Sequence, residues 1–198
     1  MDVKRNILKL VVLLIYIGLP FLIFIGLIPF DYKFYTLTIG GIIVYAIMKV
    51  LGFKNRELGI KEESAWQSIR DVFPVTFLFV IIGLLMYQLG YTQRFEISEN
   101  LAFFLFYVFI SCPIQELLYR GVLTSIGCGK FSNTVLVIVS SFLYSYIHII
   151  YHDFLTLVIT FIIGVIWHLA YLKTNNLIGV TISHIILGIL TISIGFIQ

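Results

Sequence analysis

Two charged residues lie in the middle of a strongly apolar stretch, where charges are costly to keep. Glu116 and Arg120 stand four residues apart between Pro113 and Gly121. On a helix this spacing puts both side chains on one face, and the order Glu before Arg favours an ion pair. Ionisable residues in such a run indicate a functional site, although an ion pair that only fixes helix packing accounts for the same residues. The pair alone does not decide between these interpretations.

The four histidines of the chain all follow Glu116. His148, His168 and His184 fall inside apolar runs, whereas His152 stands at the end of one. A single histidine in a helix bundle is often only a hydrogen-bond partner between helices. Three imidazoles in apolar runs, together with a Glu–Arg pair, instead predict a polar site within the bundle.

The composition of the chain predicts which secondary-structure elements hold these residues in place. The chain of 198 residues is 60% hydrophobic and 12% charged, with a mean hydropathy of +1.05. A soluble domain is closer to half apolar and a quarter charged. Long unbroken apolar runs are typical of membrane helices and not of barrel strands. We therefore predict an all-α, polytopic membrane helix bundle. The net charge of +3 is too small to indicate a nucleic-acid partner.

The apolar runs are long enough for about seven transmembrane helices. They cover approximately residues 7–28, 34–51, 73–89, 101–126, 134–151, 154–172 and 177–197. We expect a single integral membrane domain over residues 1–198. Residues 1–100 form general N-terminal spans, and residues 101–198, helices four to seven, form the active-site core. The polar stretch 53–71 is predicted to be a solvated connection.

Basic residues predict the orientation of the chain. Alternating spans place 11 of the 13 Lys and Arg residues, Arg120 included, on the side of the N-terminus, and leave only Lys33 and Arg94 on the other. The positive-inside rule then makes the N-terminus cytoplasmic. We predict a multi-pass protein of the cell membrane, and the richness in Ile, Phe, Tyr, Lys and Asn hints at a prokaryotic source.

The polar residues also follow a recognisable order. Gln-Glu-x-x-x-Arg-Gly covers residues 115–121, Tyr-x-x-x-His covers 144–148, and His-x-x-x-Gly covers 184–188. This order resembles the CPBP (CAAX protease and bacteriocin-processing, or Abi) intramembrane endopeptidases, whose pattern is Glu-Glu-x-x-x-Arg, Phe-x-x-x-His and His-x-x-x-Asn. The resemblance covers about residues 103–190. It implies hydrolysis of a peptide or protein substrate within the lipid bilayer.

Two positions depart from that pattern. Gln115 stands where the family has the glutamate that acts as general base, and glutamine cannot accept a proton as a carboxylate does. Gly188 stands where the family has an oxyanion-stabilising asparagine, and loss of one such donor costs about 10²–10³ in rate. Three interpretations of Gln115 stay open: a natural variant in which Glu116 is the base, a catalytically silent member, or a substitution introduced for a natural glutamate. The third is insufficient alone, because Gly188 differs as well.

For the first of these interpretations, we predict a role for each remaining polar residue. Glu116 takes a proton from a water molecule held by His148, and His184 stabilises the oxyanion. Arg120 orients Glu116 or binds a substrate carboxylate. We expect these residues to meet at a pocket that opens to the cytoplasm.

Tyr144 and Gly188 are expected on the substrate side of this site, where Tyr144 supports the ring of His148. An aromatic residue at that spacing is more often core packing. Counted at 1.5 Å per residue from the cytoplasmic helix ends, Glu116, His184 and His148 lie at depths of about 15, 11 and 21 Å. The residues therefore meet only if the fifth helix tilts or starts late.

A metal site is the chemical alternative at the same residues. Glu116, His148 and His184 are of the types that bind zinc. The family resemblance favours Glu/His catalysis without an obligate ion. We expect no required cofactor, with zinc as the less favoured option.

Two other classes of function compete with the protease. The changes at Gln115 and Gly188 favour a catalytically impaired member that acts as a bacteriocin-immunity or scaffold protein. Intramembrane ionisable residues also form ion paths, as in a proton-coupled carrier. Such a carrier typically has paired half-repeats, which the sequence does not display.

Overall fold

The computed structural model describes residues 2–91, 94–96 and 99–197. Residues 93–100, which lie between the third and fourth predicted spans, are therefore partly outside the described residues. All regular elements in the described ranges are helical, and seven main helices follow one another along the chain. They are α1 Asp2–Phe24, α2 Lys33–Val50, α3 Ala65–Gln88, α4 Leu101–Gly127, α5 Asn133–Tyr146, α6 Phe154–Thr174 and α7 Leu177–Ser193. Short 3₁₀ turns precede α2 (Phe30–Tyr32) and follow α5 (Ile147–Tyr151).

The helices have the lengths and the apolar character that a bilayer requires. Six segments, formed by α1 to α6 with their flanking turns, are long and apolar enough to cross a membrane. The last helix, α7, is apolar and 17 residues long. The predicted all-α, polytopic membrane bundle is thereby confirmed.

Helix α4, which carries the central Glu116, is not a regular α-helix. Two π-helical turns, Tyr107–Ser111 and Leu117–Val122, flank the short α-helical piece Cys112–Glu116. Pro113 has no N–H to donate, and the first π turn ends just before it. Because a π turn inserts an extra residue into the helix, it changes which side chains face each neighbour, and such turns are frequent at functional sites.

The connection between α2 and α3 is more ordered than predicted. Helix α3 begins at Ala65, eight residues before the predicted span. In the preceding stretch the side chain of Leu58 is completely buried. The side-chain amide of Asn176 donates to the carbonyls of Lys61 and Glu63 at 2.8 and 2.9 Å. Most residues of the predicted solvated connection are exposed, but the segment is anchored to the bundle at Leu58 and by Asn176, which the sequence did not predict.

Arg120 does not contribute to the orientation as assumed. Its side chain is completely buried in the bundle. The positive-inside rule concerns basic residues near the ends of the spans, so Arg120 must be removed from the count. The remaining basic residues still lie mainly on the side of the N-terminus.

Helices α3 and α7 cross closely at Gly179. The backbone N–H of Gly179 donates to the hydroxyl of Ser68 at 3.0 Å. A Cβ atom at residue 179 would overlap the backbone carbonyl of Ser68. Glycine is therefore required for the two backbones to approach this closely.

We expect Gly179→Ala to lower the free energy of unfolding by about 1–3 kcal/mol, because the added methyl group overpacks the crossing. Gly18→Ala is the matched control, since a Cβ atom at residue 18 meets no atom within 4 Å. We expect this control to be neutral or to stabilise by up to about 1 kcal/mol. Unfolding in detergent micelles titrated with SDS, followed by circular dichroism, measures both. Equal effects of the two substitutions would contradict the tight crossing.

Asp153 joins the start of α6 to the segment before α4. Its carboxylate accepts from the backbone N–H of Thr156 at 2.8 Å and pairs with Arg94 at 2.7 Å. Burial raises the pKa of Asp153, but the hydrogen bonds from Thr156 and Arg94 outweigh it and hold the pKa below its usual value. The ionised carboxylate is therefore the form that stabilises the fold.

We expect Asp153→Ala to destabilise by about 1 kcal/mol through loss of the helix cap, and Asp153→Asn to cost less, because an amide oxygen still caps. The charge-dependent part of the stability is present above the free carboxyl pKa of about 3.9 and is lost as the pH falls through the lowered pKa. Thermal unfolding between pH 7 and pH 2 tests this. A wild type that loses no more stability in acid than Asp153→Asn would disprove the role of the charge.

Candidate active site

A cavity of about 360 Å³ lies inside the bundle, and five of the sequence-predicted site residues line it. Gln115 comes from α4, Tyr144 and His148 come from the end of α5 and its 3₁₀ turn, and His184 and Gly188 come from α7. The remaining wall is largely apolar, and the volume is typical of a site for a small molecule or a short peptide segment. Three helices thus bring their polar residues to one space.

The cavity lies at one end of the bundle. Its lining residues lie toward the ends of α1, α3, α5 and α7 and toward the starts of α2, α4 and α6, and they include Lys33 and Glu99. This is the end opposite to most of the basic residues. A cytoplasmic N-terminus and a cavity that opens to the cytoplasm are therefore incompatible predictions.

Glu116 does not line the cavity but lies behind it. Its side chain is completely buried. One carboxylate oxygen, Oε1, accepts a hydrogen bond from Nδ1 of His184 at 2.7 Å, and Oε2 lies 3.2 Å from Nε of Arg120. The ion pair predicted from the spacing is confirmed. Both oxygens of Glu116 are thus engaged by neighbouring side chains.

Arg120 balances this buried charge in an aromatic setting. Its guanidinium carbon lies 4.5 Å from the ring centroid of Tyr144 and 5.7 Å from that of Trp167. The contact with Glu116 is an ion pair without hydrogen-bond alignment, and the guanidinium nitrogens have no hydrogen-bond partner among the described residues. Coulombic attraction and the aromatic faces therefore hold this cation in place.

His184 is fixed on several sides. The ring of Trp167 stacks on it with centroids 4.7 Å apart, and Trp167 is held in turn by donating to the hydroxyl of Ser183 at 2.8 Å. The hydroxyl of Tyr144 lies 3.3 Å from Nε2 of His184. Because the carboxylate of Glu116 can only accept, Nδ1 of His184 carries a proton. The Nε2 edge is left for Tyr144 and the cavity.

His148 reaches the same cavity without contacting Glu116. Its Nδ1 donates to the backbone carbonyl of Tyr144 at 2.8 Å, so that in the neutral ring Nε2 is a hydrogen-bond acceptor. The rings of Tyr144 and His148 pack edge to face with centroids 5.1 Å apart. Tyr144 contacts both histidines and thereby connects residues that helix counting had placed at different depths.

Gln115 faces the cavity, one residue before the inward-facing Glu116. Its amide nitrogen donates to the hydroxyl of Ser111 at 2.9 Å. Its carbonyl oxygen Oε1 is buried and has no hydrogen-bond partner among the described residues. An unpaired buried oxygen is costly, and this atom has almost no surface that a water molecule in the cavity could contact.

The other two histidines do not belong to this site. His168 is completely buried but bonds the hydroxyls of Ser140 and Thr124 at 2.7 and 3.3 Å. His152 is exposed and stacks on Phe24. The convergence of three buried imidazoles predicted from the sequence is therefore wrong for His168, which links α4, α5 and α6.

The sequence reasoning missed three residues of the site. Trp167 supports His184, Ser111 bonds Gln115, and Tyr107 lines the cavity beside His184. Ser111 stands four residues before Gln115 and Tyr107 four before Ser111, a spacing that could have indicated a shared helix face. For Trp167 the sequence gives no signal that separates it from core packing.

The arrangement of the described side chains does not match the zinc site that was the less favoured option. In the part of the chain that the structure describes, no group of three or more His, Cys, Asp or Glu side chains is placed to hold a metal ion. Glu116, His148 and His184 are thus not arranged as a set of ligands.

The buried pair of Glu116 and Arg120 makes a clear prediction for stability. We expect Glu116→Ala to cost about 3–5 kcal/mol, because it leaves the guanidinium buried without a counter-charge. The double variant Glu116→Leu/Arg120→Met removes both charges, and we expect it to be less destabilised than the single variant. SDS unfolding of both proteins in micelles measures the difference. A double variant at least as unstable as Glu116→Ala would contradict the electrostatic interpretation.

Comparison with known proteins supports the family resemblance of the motifs. Residues 97–190 match the family model described as type II CAAX prenyl endopeptidase Rce1-like. No curated protein and no solved structure matches the chain. The matched segment, nearly half of the chain, contains every residue of the site described above. This segment is therefore similar to the CPBP family of intramembrane endopeptidases, which the motifs also resemble.

Proposed function

We propose that the protein is a membrane-embedded endopeptidase that hydrolyses a peptide bond in the cavity, with His148 as general base and His184 as oxyanion donor. One observation carries this proposal: a histidine with an available acceptor nitrogen and a histidine backed by a carboxylate line the same cavity. The match of residues 97–190 to the family model supports the same class of reaction.

The proposed reaction proceeds by direct attack of water. The water oxygen bonds to the carbonyl carbon of the substrate while Nε2 of His148 takes its proton. The electron pair of the carbonyl bond moves onto the oxygen, which accepts a hydrogen bond from Nε2–H of a protonated His184. When the C–N bond breaks, His148 returns the proton to the departing amine.

Glu116 and Arg120 act in this scheme through other residues. Glu116 orients the ring of His184 and stabilises its positive charge, and Arg120 offsets the charge of Glu116. We therefore assign Glu116 to positioning, and not to the role of base that the sequence suggested, because both of its oxygens are engaged and it does not line the cavity. Gln115 contributes a neutral amide to the cavity wall.

The substrate is a peptide or protein that presents an extended segment to an apolar cavity within the bilayer. The walls offer Tyr, Trp, Phe, Ile and Leu side chains, so apolar residues on either side of the scissile bond fit best. The lipid bilayer is the second partner, since the outer faces of the helices expose large apolar side chains.

A non-catalytic immunity or scaffold protein is the second candidate. The observation in its favour is the neutral pair Gln115 and Gly188 in the cavity, where the family has a carboxylate and an amide. This candidate predicts binding of a peptide without cleavage.

The test is a screen of quenched-fluorescent peptides with purified protein in detergent micelles, followed by two matched variants. We expect His148→Gln to lower kcat/KM by about 10²–10⁴, the usual contribution of a general base. His152→Gln is the control, because His152 is exposed and contacts Phe24 outside the cavity; we expect wild-type activity.

Full activity in His148→Gln would refute the mechanism. Tight binding of a peptide without cleavage by the wild type would favour the scaffold, and proton flux in proteoliposomes without cleavage would favour the carrier.

A further inference from the structure

We infer that Tyr107 is a further catalytic residue, whose hydroxyl donates a second hydrogen bond to the oxyanion. This inference rests on the proposed hydrolytic function and deepens it. The sequence motifs do not include this residue.

The position of the Tyr107 hydroxyl depends on the absence of a side chain at Gly188. A Cβ atom at residue 188 would overlap the phenolic oxygen of Tyr107. Gly188 lies one helical turn after His184 on α7. The hydroxyl therefore occupies the space that a side chain at residue 188 would fill, on the wall that carries His184.

The ring of Tyr107 is held beside His184. The two rings are perpendicular with centroids 6.0 Å apart, and on its other side Tyr107 stacks with Phe103 at 6.0 Å. Tyr107 is buried and lines the cavity together with His184. Two donors, the phenol of Tyr107 and the imidazole of His184, thus reach the cavity from adjacent positions.

The two nearby tyrosine hydroxyls are not equivalent. The hydroxyl of Tyr144 already lies within hydrogen-bond distance of Nε2 of His184, so this hydroxyl is engaged by the imidazole ring. The hydroxyl of Tyr107 lies against the bare backbone of Gly188, with the thiol of Cys112 beside it. Because a thiol is only a weak hydrogen-bond partner, this hydroxyl is the one that is placed to receive a substrate oxygen.

The chemical role is that of a neutral hydrogen-bond donor. As water attacks, negative charge develops on the carbonyl oxygen, and the phenolic O–H donates to it without transferring its proton. Such a bond strengthens as the charge develops, so it lowers the barrier more than it tightens substrate binding. Removal of one oxyanion donor typically costs about 10²–10³ in kcat.

The test compares Tyr107→Phe with the wild type on the quenched-fluorescent peptide that the wild type cleaves fastest. Phenylalanine keeps the ring and its packing, so the thermal unfolding midpoint should be unchanged. We expect kcat to fall by about 10²–10³ while KM changes by less than about threefold. Tyr35→Phe, at an exposed tyrosine on α2, is the control and should match the wild type.

A second variant tests the dependence on Gly188. Gly188→Ala displaces the phenol, so it should reproduce the fall in kcat, and the double variant Tyr107→Phe/Gly188→Ala should be no slower than the slower single variant. Wild-type kcat in Tyr107→Phe, with activity lost in His148→Gln, would overturn the inference and leave the proposed function standing. A rise in KM alone would also overturn it. Absence of cleavage by the wild type would overturn both.

Discussion

The structure depends on how one buried carboxylate is neutralised. Moving an ion out of water costs several kcal/mol unless other charges and hydrogen bonds compensate. Glu116 is compensated by Arg120 on its own helix and by His184 on α7. This requirement ties α4 to α7 at one place and fixes the ring of His184 beside the cavity. Positioning of His184 at the cavity and compensation of a buried charge therefore depend on the same interaction.

Two consecutive residues of α4 face different sides of that helix. Gln115 points to the cavity and Glu116 to the protein interior, as expected for a rotation of about 100° per residue. The two π turns on either side of this piece of helix allow Tyr107, Ser111 and Gln115 to face the cavity. The two π turns thus place these three residues on one wall of the site.

The two departures from the family pattern, Gln115 and Gly188, lie on this same wall of the cavity. Gln115 retains a hydrogen-bonding group at the cavity, although it is neutral, and its amide is oriented by Ser111. Gly188 offers no side chain, but the phenol of Tyr107 fills the space beside it. The site is therefore altered in charge, while hydrogen-bonding groups still line one wall of the cavity.

The class of protein and the local pairs could be predicted from the sequence by itself. Apolar runs of bilayer length determined a helical membrane bundle, and the spacing of Glu116 and Arg120 determined their ion pair, because contacts four residues apart depend only on helix geometry. The motif order also identified Gln115, His148, His184 and Gly188 as residues of one cavity.

Only the tertiary structure decided which groups meet across helices. Membrane helices are apolar on all sides, so periodicity does not reveal which face turns inward. For this reason the sequence could not separate His168, which bonds Ser140 and Thr124, from the imidazoles of the cavity. It also did not reveal that Tyr107 lines the cavity or that Glu116 lies behind His184. Helix tilt, rotation and the π turns of α4 set these positions, and they arise from packing between distant segments of the chain.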